Sequence, residues 1–513
     1  MAKFRTCDYN QMNILPVSID NQISPYTLEF IIHNIIEDLD ISYFNIRYNN
    51  DNIGRKAINP KVLLKIILLG YSRGLTSSRD LEKACRENAV FMAMTCGDIP
   101  DHSTIATFVS TMEEEIAQIF TQILIICDEE GLIGGTHFSI DGVKLPSNAS
   151  KECSGKLDEL KTRKEKIEKK VKEIIKEHND EDKSSKPKND GSHEKRLKRL
   201  KQKAEKIDKF LEENGPRIGT SGKEVQSNTT DNESAKMVGS HGMVLQGYNA
   251  NAFVDGKDQV ITYAEAFGEN EDSAHIEPML EGAKRNLEQV GHKEPLEGKI
   301  ISADSGYHST ESLKVCEEYE VDAYIPDKGF RKRDERLQGA EKYKRATNRR
   351  KTNHRKGKGL FTVKDFIFND KGRLTCPAGA ALYIRNRNFE TKQGLKGINY
   401  QAPKTACRDC ELKAKCLRKQ TTVSRQVHIF EKTPDNITER MKEKIDSPQG
   451  RKTYGKRLGI VEPVFANIRA RKSMNRFTLR GKVKVNIQWK LYCIVHNLEK
   501  IVNFGSSFTL ATQ

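Results

Sequence analysis

Three acidic residues of this sequence stand where regular elements are predicted to end or begin. Asp141 and Asp304 each follow a strand-like run of residues, and Glu462 lies on a predicted helix. If the two strands are neighbours in one sheet, their ends bring both aspartates to the same rim, and a helix across that rim adds the glutamate. Carboxylate oxygens are the ligands that Mg²⁺ prefers. Two such ions roughly 3.5 to 4 Å apart activate a nucleophile and stabilise the leaving oxygen of a phosphoryl transfer.

Each of these acids also has an ordinary structural explanation. Asp141-Gly142 has the composition of a hairpin turn, and Asp304 that of a loop before a helix. Glu462-Pro463 has the composition of a helix start with proline at its first position. A group of neighbouring acids is interpreted as loop or sheet-edge charge: Glu265, Glu269, Glu271 and Asp272.

Four cysteines form a second candidate metal site. Cys376, Cys407, Cys410 and Cys416 are spaced C-x30-C-x2-C-x5-C. Four thiolates can close a tetrahedral structural Zn²⁺ site, and a C-x2-C pair is a common half of one. The long first gap weakens the pattern, so reduced structural thiols remain the alternative.

The elements that must position these residues change along the chain. Apolar stripes at helical spacing predict that the first 130 residues are helical, and Asn59-Pro60 has the composition of a helix start. Beyond residue 134, alternation of apolar and polar residues predicts strands. The order of strands and helices predicts a mixed α/β sheet. Between residues 151 and 219, two stretches with apolar residues three and four apart predict an antiparallel coiled-coil hairpin.

The net charge of +16 is unevenly distributed. Residues 1–150 contain 12 basic and 19 acidic side chains, whereas residues 329–358 contain 13 and 3, and residues 451–490 contain 12 and 1. Such local excess indicates contact with a polyanion. The alternatives are a solvated basic loop for the first window and the charged outer face of a packed helix for the second.

The composition argues against a membrane or secreted protein. No apolar run reaches the roughly 18 residues that span a bilayer, and the first residues lack the apolar core of a signal peptide. Eleven cysteines, an odd number spread over a long chain, fit a reducing compartment better than secretion. We therefore expect a soluble, cytoplasmic protein.

Four short motifs follow one another in this sequence. They are Phe138-Ser-Ile-Asp-Gly142, Gln246-Gly-Tyr-Asn-Ala250, Ala303-Asp-Ser-Gly-Tyr307 and Tyr454-Gly-Lys-Arg-Leu-Gly-Ile-Val-Glu-Pro-Val-Phe465. Together they resemble the DDE transposases of bacterial insertion sequences. The resemblance extends to Pro100-Asp-His-Ser-Thr-Ile105 and to residues 489–498. The set is specific, whereas any single motif is not.

The resemblance implies a ribonuclease-H-like catalytic core with Asp141, Asp304 and Glu462 as its metal-binding triad. It also implies a Tyr, Arg, Glu, Lys signature, which Tyr454, Arg457 and Glu462 match. Four residues separate Arg457 from Glu462, where the commonest spacing is three.

Basic side chains around the glutamate are predicted to contact DNA. Arg469 stands at the lysine position of the signature, and a guanidinium can still hold a phosphate bidentately. Arg469, Lys472 and Arg476 beside the active rim are expected to hold the DNA backbone, a contact that carries no sequence information. Tyr454 and Arg457 complete the predicted DNA-binding set.

The predicted domain organisation places insertions within a catalytic core. Residues 1–133 form a helical N-terminal domain, residues 151–219 a coiled-coil hairpin insertion, and residues 329–432 a basic, Cys-rich insertion. The ribonuclease-H-like core is assembled from residues 134–150, 220–328 and 433–505.

The function expected from this sequence is that of an insertion-sequence transposase. It would use two Mg²⁺ or Mn²⁺ ions to hydrolyse a phosphodiester at the element's ends and then transfer the strand into target DNA. Its partners would be double-stranded DNA, at the terminal inverted repeats and the target, and a second copy of the chain, with no membrane. It would be cytoplasmic and nucleoid-associated. The alternative is a catalytically inactive, zinc-containing DNA-binding or scaffold protein derived from a transposase.

Overall fold

The computed structural model divides into two compact units. Met1–Phe330 with Met441–Gln513 form the larger one, and Arg331–Arg440 form the smaller one. The described residues are 22–48, 56–181, 191–219, 222–239, 242–337, 360–370, 372–391, 396–417, 419, 421–430 and 436–506. Most of the basic window 329–358 lies outside the described residues.

The N-terminal part of the larger unit is helical, as predicted. Its helices are α1 (Leu28–Asp38), α2 (Pro60–Ser72), α3 (Ser78–Glu87), α4 (Ala89–Met94), α5 (His102–Thr111) and α6 (Glu113–Glu129). The predicted start of α2 is confirmed, because the Asn59 side chain accepts a hydrogen bond from the Lys61 N–H at 2.9 Å. Met112, with φ −97° and ψ 57°, separates α5 from α6.

A mixed sheet forms the centre of the larger unit. The strands of this unit are β1 (His137–Pro146), β2 (Ser154–Gly155), β3 (Ser227–Asn228), β4 (Ala235–Val238), β5 (Val244–Asp255), β6 (Ile261–Phe267), β7 (Ile300–Ala303) and β8 (Asp322–Tyr324). β4 and β6 both pair with β5, and β5 pairs antiparallel with β1. On the other side of β1, β7 is parallel to β1 and β8 is parallel to β7. The prediction of a mixed α/β sheet is therefore correct.

Two long helices stand between β2 and β3 in the sequence. α7 (Leu157–Glu181) and α8 (Gly191–Glu213) pack against each other. Leu160, Ile207 and Phe210 form the buried apolar cluster of this pair, while most other side chains are exposed or half-buried.

The remaining elements complete both units. The larger unit has α9 (Ile276–Val290) and α10 (Thr310–Glu318), and α11 (Phe330–Arg333) lies at the boundary. The smaller unit contains β9 (Ile367–Phe368), β10 (Leu374–Thr375), β11 (Tyr383–Glu390), β12 (Lys396–Gln401), α12 (Lys404–Arg408), α13 (Lys413–Cys416) and β13 (Gln426–Phe430). The chain then forms α14 (Ile437–Asp446), α15 (Pro448–Gly455), α16 (Arg457–Ala466), a π-helical turn (Asn467–Arg471) and α17 (Lys482–Phe504).

α17 joins the sheet to the N-terminal helices. It packs against β6 and against α1, α2, α5 and α6. Asn486 and Asn497 on this helix bond the backbone of β6: their side chains accept from the Ala266 N–H at 2.7 Å and the Ile261 N–H at 2.9 Å. The edge of β6 is thus covered by helix side chains, which satisfy its unpaired backbone groups. No helix in the described part of the chain is long and apolar enough to cross a membrane.

Candidate active site

Asp141 and Asp304 come together because their strands are parallel neighbours. The last paired residues of β1 and β7 are Ile140 and Ala303. Asp141 and Asp304 are the next residues, so they lie side by side. Neighbouring strands lie about 4.8 Å apart, which puts both aspartates on one rim of the sheet. β1 continues past this level and stays paired with β5, so the hairpin-turn alternative for Asp141 is wrong.

Arg457 is the direct partner of Asp141. It is the first residue of α16, which packs on β1 and β5. One terminal guanidinium nitrogen, Nη2, lies 2.7 Å from Asp141 Oδ2, and the Arg457 side chain is only 6% exposed. The same helix carries Glu462, whose side chain is exposed. Pro463 lies inside α16, so the helix-start alternative for Glu462 is wrong as well.

The electrostatics of Asp141 connect the three acids. Burial raises the pKa of Asp141 to about 6. Arg457 and the Gly142 N–H oppose this rise in pKa, whereas the charges of Asp304 and Glu462 add to it. Asp304 and Glu462 are therefore close enough to Asp141 to act on its charge. Clustered, partly buried negative charge favours a bound cation.

A polar network lies beside the two aspartates. The Tyr307 hydroxyl donates to Asn251 Oδ1, and Asn249 Nδ2 donates to Asp272 Oδ1 at 2.6 Å. Burial raises the pKa of Tyr307 well above its ordinary value, and the charges of Asp141, Asp272 and Asp304 add to the rise. Tyr307 therefore remains a protonated hydrogen-bond donor.

Two residues of this network lie in motifs that the sequence analysis singled out. Asn249 lies in the second motif and Tyr307 in the third, but neither motif revealed what these side chains contact. Asp272 was interpreted as a loop or sheet-edge charge, because nothing in its neighbours in sequence indicates that it lies near Asp304. Their proximity depends on the packing of the segment after β6 against the end of β7.

The donor atoms of the triad fit a hard divalent cation, but they do not form a closed ligand group. Asp141, Asp304 and Glu462 offer only carboxylate oxygens, as Mg²⁺ and Mn²⁺ sites do. Within the described ranges, no group of three His, Cys, Asp or Glu side chains is close enough to hold a metal ion. Since Arg457 already contacts one oxygen of Asp141, a cation bound there would have to compete with this guanidinium.

The four cysteines of the smaller unit line one pocket. Burial raises the pKa of Cys416, the positive charge of Arg425 lowers it, and the charges of Cys407, Cys376 and Cys410 raise it. The four sulfur atoms are thus close enough to affect one another. They are free thiols and, like the acids, do not form a ligand group among the described residues. The Zn²⁺ site remains a prediction.

Lys472 does not fit the predicted DNA contact. It is fully buried, and its ammonium lies 2.6 Å from Glu499 Oε2. Burial of this cation lowers its pKa, while Glu499 opposes that effect. Because the side chain has no surface to offer a phosphate, its role in this conformation is to hold the segment after the π-helical turn to α17.

The other predicted DNA contacts differ in exposure. Arg469 and Arg476 are exposed, and Arg476 Nη2 donates to Asn148 Oδ1 at 3.3 Å. Arg480, which the sequence did not single out, is exposed and donates to the Asn148 carbonyl at 2.6 Å. Tyr454 is half-buried, and its ring lies nearly perpendicular to that of Phe330, with the ring centroids 5.3 Å apart.

Two family models match the chain. The Transposase domain (DUF772) matches residues 17–111, which include α1 to α5. The Transposase DDE domain matches residues 375–502, which include the four cysteines, Arg457 and Glu462 but not the two aspartates. Comparison with curated proteins and with solved structures finds no match.

Both matched domains are transposase domains, and together they support a DNA transposase. The two matches confirm the resemblance to the DDE transposases of insertion sequences that the motifs indicated. A DDE domain implies a ribonuclease-H-like core, and the mixed sheet with flanking helices agrees with it. Domains of this class act on DNA and generally use divalent metal ions.

Proposed function

We propose that this chain cleaves DNA at the ends of its insertion sequence and joins the freed strands to target DNA. One observation carries the proposal. Asp141 and Asp304 follow paired residues of two neighbouring parallel strands, and Glu462 is close enough to raise the pKa of Asp141. Three carboxylates in this relation offer the oxygen ligands that phosphoryl-transfer enzymes use for divalent ions.

Asp141, Asp304 and Glu462 would hold two Mg²⁺ or Mn²⁺ ions. When bound, such ions lower the pKa of water and stabilise charge on the leaving oxygen. The protein's own contribution is to hold the carboxylates in position. With its pKa of about 6, Asp141 is mostly ionised at pH 7.

The proposed reaction has two phosphoryl-transfer steps. In the first, water attacks a phosphorus atom at the element's end, the bond from phosphorus to the 3′ oxygen breaks, and that oxygen takes up a proton. The products are a 3′ hydroxyl and a 5′ phosphate. In the second, this 3′ hydroxyl attacks a phosphorus atom of the target strand, gives up its proton and displaces the target's own 3′ oxygen.

Arg457 would change partners when the active site is loaded. Its guanidinium neutralises Asp141 in this structure. A cation bound to the same carboxylate would repel the guanidinium, which could then hold a DNA phosphate as the Tyr, Arg, Glu, Lys signature suggests.

Tyr454, Arg469 and Arg476 would contact the DNA backbone on the side of the glutamate helix. Two element ends must be held together for transfer, so we propose that a homodimer carries out the reaction. The four cysteines of the smaller unit would hold a structural Zn²⁺ ion, for which their convergence on one pocket is the support.

A cleavage assay on a duplex carrying the element's end tests the proposal. Asp141→Asn, Asp304→Asn and Glu462→Gln should each lower the rate of cleavage with Mg²⁺ by at least about a thousandfold, because each removes a ligand charge. Gel-shift affinity for the same duplex should stay within a few-fold of wild type. Glu288→Gln, which removes an exposed acid on α9, is the matched control and should cleave normally.

The outcome separates the enzyme from the alternative of an inactive DNA-binding protein. If wild-type protein shifts the duplex but gives no product with Mg²⁺ or Mn²⁺, the catalytic proposal is wrong. If one triad variant cleaves at the wild-type rate, that residue is not part of the triad. The presence of all three acids does not favour the inactive alternative.

A further inference from the structure

Asp272 lies next to Asp304, although from the sequence it was interpreted as a loop or sheet-edge charge. It opens the 3₁₀ turn Asp272–His275 that leads into α9. Its Oδ1 accepts a hydrogen bond from Asn249 Nδ2 at 2.6 Å. Asn249 is fully buried on β5, so this bond fixes the carboxylate to the central part of the sheet. The side chain of Asp272 is half-buried.

The second oxygen of Asp272 faces Asp304 across Gly306. A Cβ placed on Gly306 would stand 2.5 Å from Asp272 Oδ2 and 2.8 Å from Asp304 Oδ1. Any other residue at position 306 would therefore push at least one of the carboxylates away. Asp304 Oδ1 is itself held by the Gly306 N–H at 2.6 Å. Glycine at this position allows two fixed carboxylates to approach the same point.

The surroundings of Asp272 contain a further unused polar atom. Asn249 Oδ1 is buried and has no hydrogen-bond partner among the described residues. It lies 2.7 Å from the point where a Cβ on Gly142 would stand, directly after Asp141 in the chain. A buried acceptor without a donor is costly. This side of the rim thus holds an unsatisfied oxygen in addition to the negative charge.

We propose that Asp272 is a fourth carboxylate of the active site, which Asn249 holds in place so that it shares a divalent cation with Asp304. The proposal rests on the proposed function, because it assumes that Asp304 is a metal ligand. The negative charges of Asp272 and Asp304, which approach each other around Gly306, repel each other. A cation bound by both removes that repulsion, and Asp272 then adds an oxygen from an element that the triad does not use.

Mn²⁺ binding to the full-length chain, measured without DNA by electron paramagnetic resonance titration, tests the proposal apart from catalysis. Asp272→Asn should weaken binding by about tenfold or more, as loss of a ligand or its support does. The amide keeps an acceptor oxygen for Asn249, so the fold should be retained. Glu271→Gln removes the same charge one residue away and should bind Mn²⁺ within about twofold of wild type.

Gly306→Ala is the second variant, because its methyl group displaces the carboxylates without changing the charge. It should also weaken Mn²⁺ binding, and circular dichroism checks that each variant is folded. Wild-type affinity in Asp272→Asn, or an equal loss in Glu271→Gln, overturns the role of Asp272. Asp304→Asn is the reference: weakened binding in this variant alone leaves the proposed function standing, whereas unchanged binding in both Asp304→Asn and Asp272→Asn contradicts the proposed metal site itself.

Discussion

At the scale of single residues, the ion pair between Arg457 and Asp141 is the contact that most directly affects the chemistry. The guanidinium nitrogen lies 2.7 Å from the carboxylate oxygen, and the arginine is almost fully buried. The pair neutralises a carboxylate whose burial would otherwise raise its pKa further. A metal ion bound at Asp141, as proposed, would therefore have to compete with Arg457.

Arg457→Ala should make the chain less stable and more responsive to metal. Removing one partner of a buried ion pair costs on the order of 3 kcal/mol, so the metal-free melting temperature should fall. Mn²⁺ should then restore more stability in the variant than it adds to wild type, because it meets an unpaired Asp141. Differential scanning fluorimetry with and without Mn²⁺ measures both changes.

Arg451→Ala is the control for this comparison. Its guanidinium pairs with Asp446 at 3.1 Å, and neither residue belongs to the triad. Its metal-induced rise in melting temperature should equal that of wild type. An equal rise in Arg457→Ala would contradict competition between Arg457 and the cation.

At the scale of elements, α17 determines how the helical N-terminal part meets the sheet. Asn486 and Asn497 cover the edge of β6, and Tyr492 stacks on Tyr71 of α2 with ring centroids 4.5 Å apart. Trp489, the only tryptophan of the chain, donates its indole N–H to the Asn251 carbonyl at 2.9 Å. The fluorescence of this tryptophan therefore reports on the packing of α17 against the sheet.

His496 on α17 should make the larger unit sensitive to acid. Its ring contacts the Gln259 carbonyl at 2.9 Å and the Asn467 amide nitrogen at 3.2 Å, and burial lowers its pKa to about 3. Because the folded pKa lies below the ordinary value of 6.5, protonation favours the unfolded chain. This contribution to stability is complete above pH 6.5 and is lost as the pH falls from 6.5 towards 3. The loss at pH 5.5 should be about 1 kcal/mol.

Urea unfolding followed by Trp489 fluorescence at pH 7.5 and pH 5.5 measures this effect. His496→Gln should lose about 1 kcal/mol less stability than wild type between the two pH values. Part of the wild-type loss should remain in the variant, because burial also lowers the pKa of His137 to about 4. Identical losses in wild type and variant would contradict a role for His496.

At the scale of the whole molecule, basic side chains around Glu462 differ in their exposure to solvent. Arg469 and Arg476 are exposed, whereas Lys472 is buried against Glu499. An excess of basic residues in a stretch of sequence therefore does not describe a DNA-binding surface by itself. The burial of each side chain decides which charges a phosphate can reach.

The salt dependence of DNA binding should distinguish these residues. Replacing both Arg469 and Arg476 by alanine should weaken binding and reduce the slope of log K against log salt by about two, one for each lost phosphate contact. Lys472→Ala should leave the slope unchanged and lower the melting temperature. A reduced slope in Lys472→Ala would show that this lysine reaches DNA in the complex.

The smaller unit should contain about one zinc ion per chain if its four cysteines bind metal. Elemental analysis after purification without chelators measures the content, and Cys407→Ser with Cys410→Ser should abolish it. The control is Cys96→Ser, which changes an exposed cysteine of the larger unit and should leave the zinc content unchanged. A metal-free wild-type protein would support reduced structural thiols instead.

The sequence by itself indicated the class of the protein, because four motifs in a fixed order resemble those of one family even though each is ambiguous alone. It also determined the helical N-terminal part, the start of α2 and the mixed sheet, since these depend on local periodicity and on capping residues. It also predicted that Asp141 and Asp304 lie on the same rim of the sheet, on the assumption that their two strands are neighbours.

Only the tertiary structure decided what each charged side chain contacts. It placed Asp141 inside a continuous strand, paired Arg457 with it, buried Lys472 against Glu499 and brought Asp272 to Asp304. These relations join residues far apart in the chain, and their energies depend on burial and distance, which composition and spacing do not contain. Local patterns fix local structure, whereas the chemistry of an acid depends on the charges that the fold packs around it.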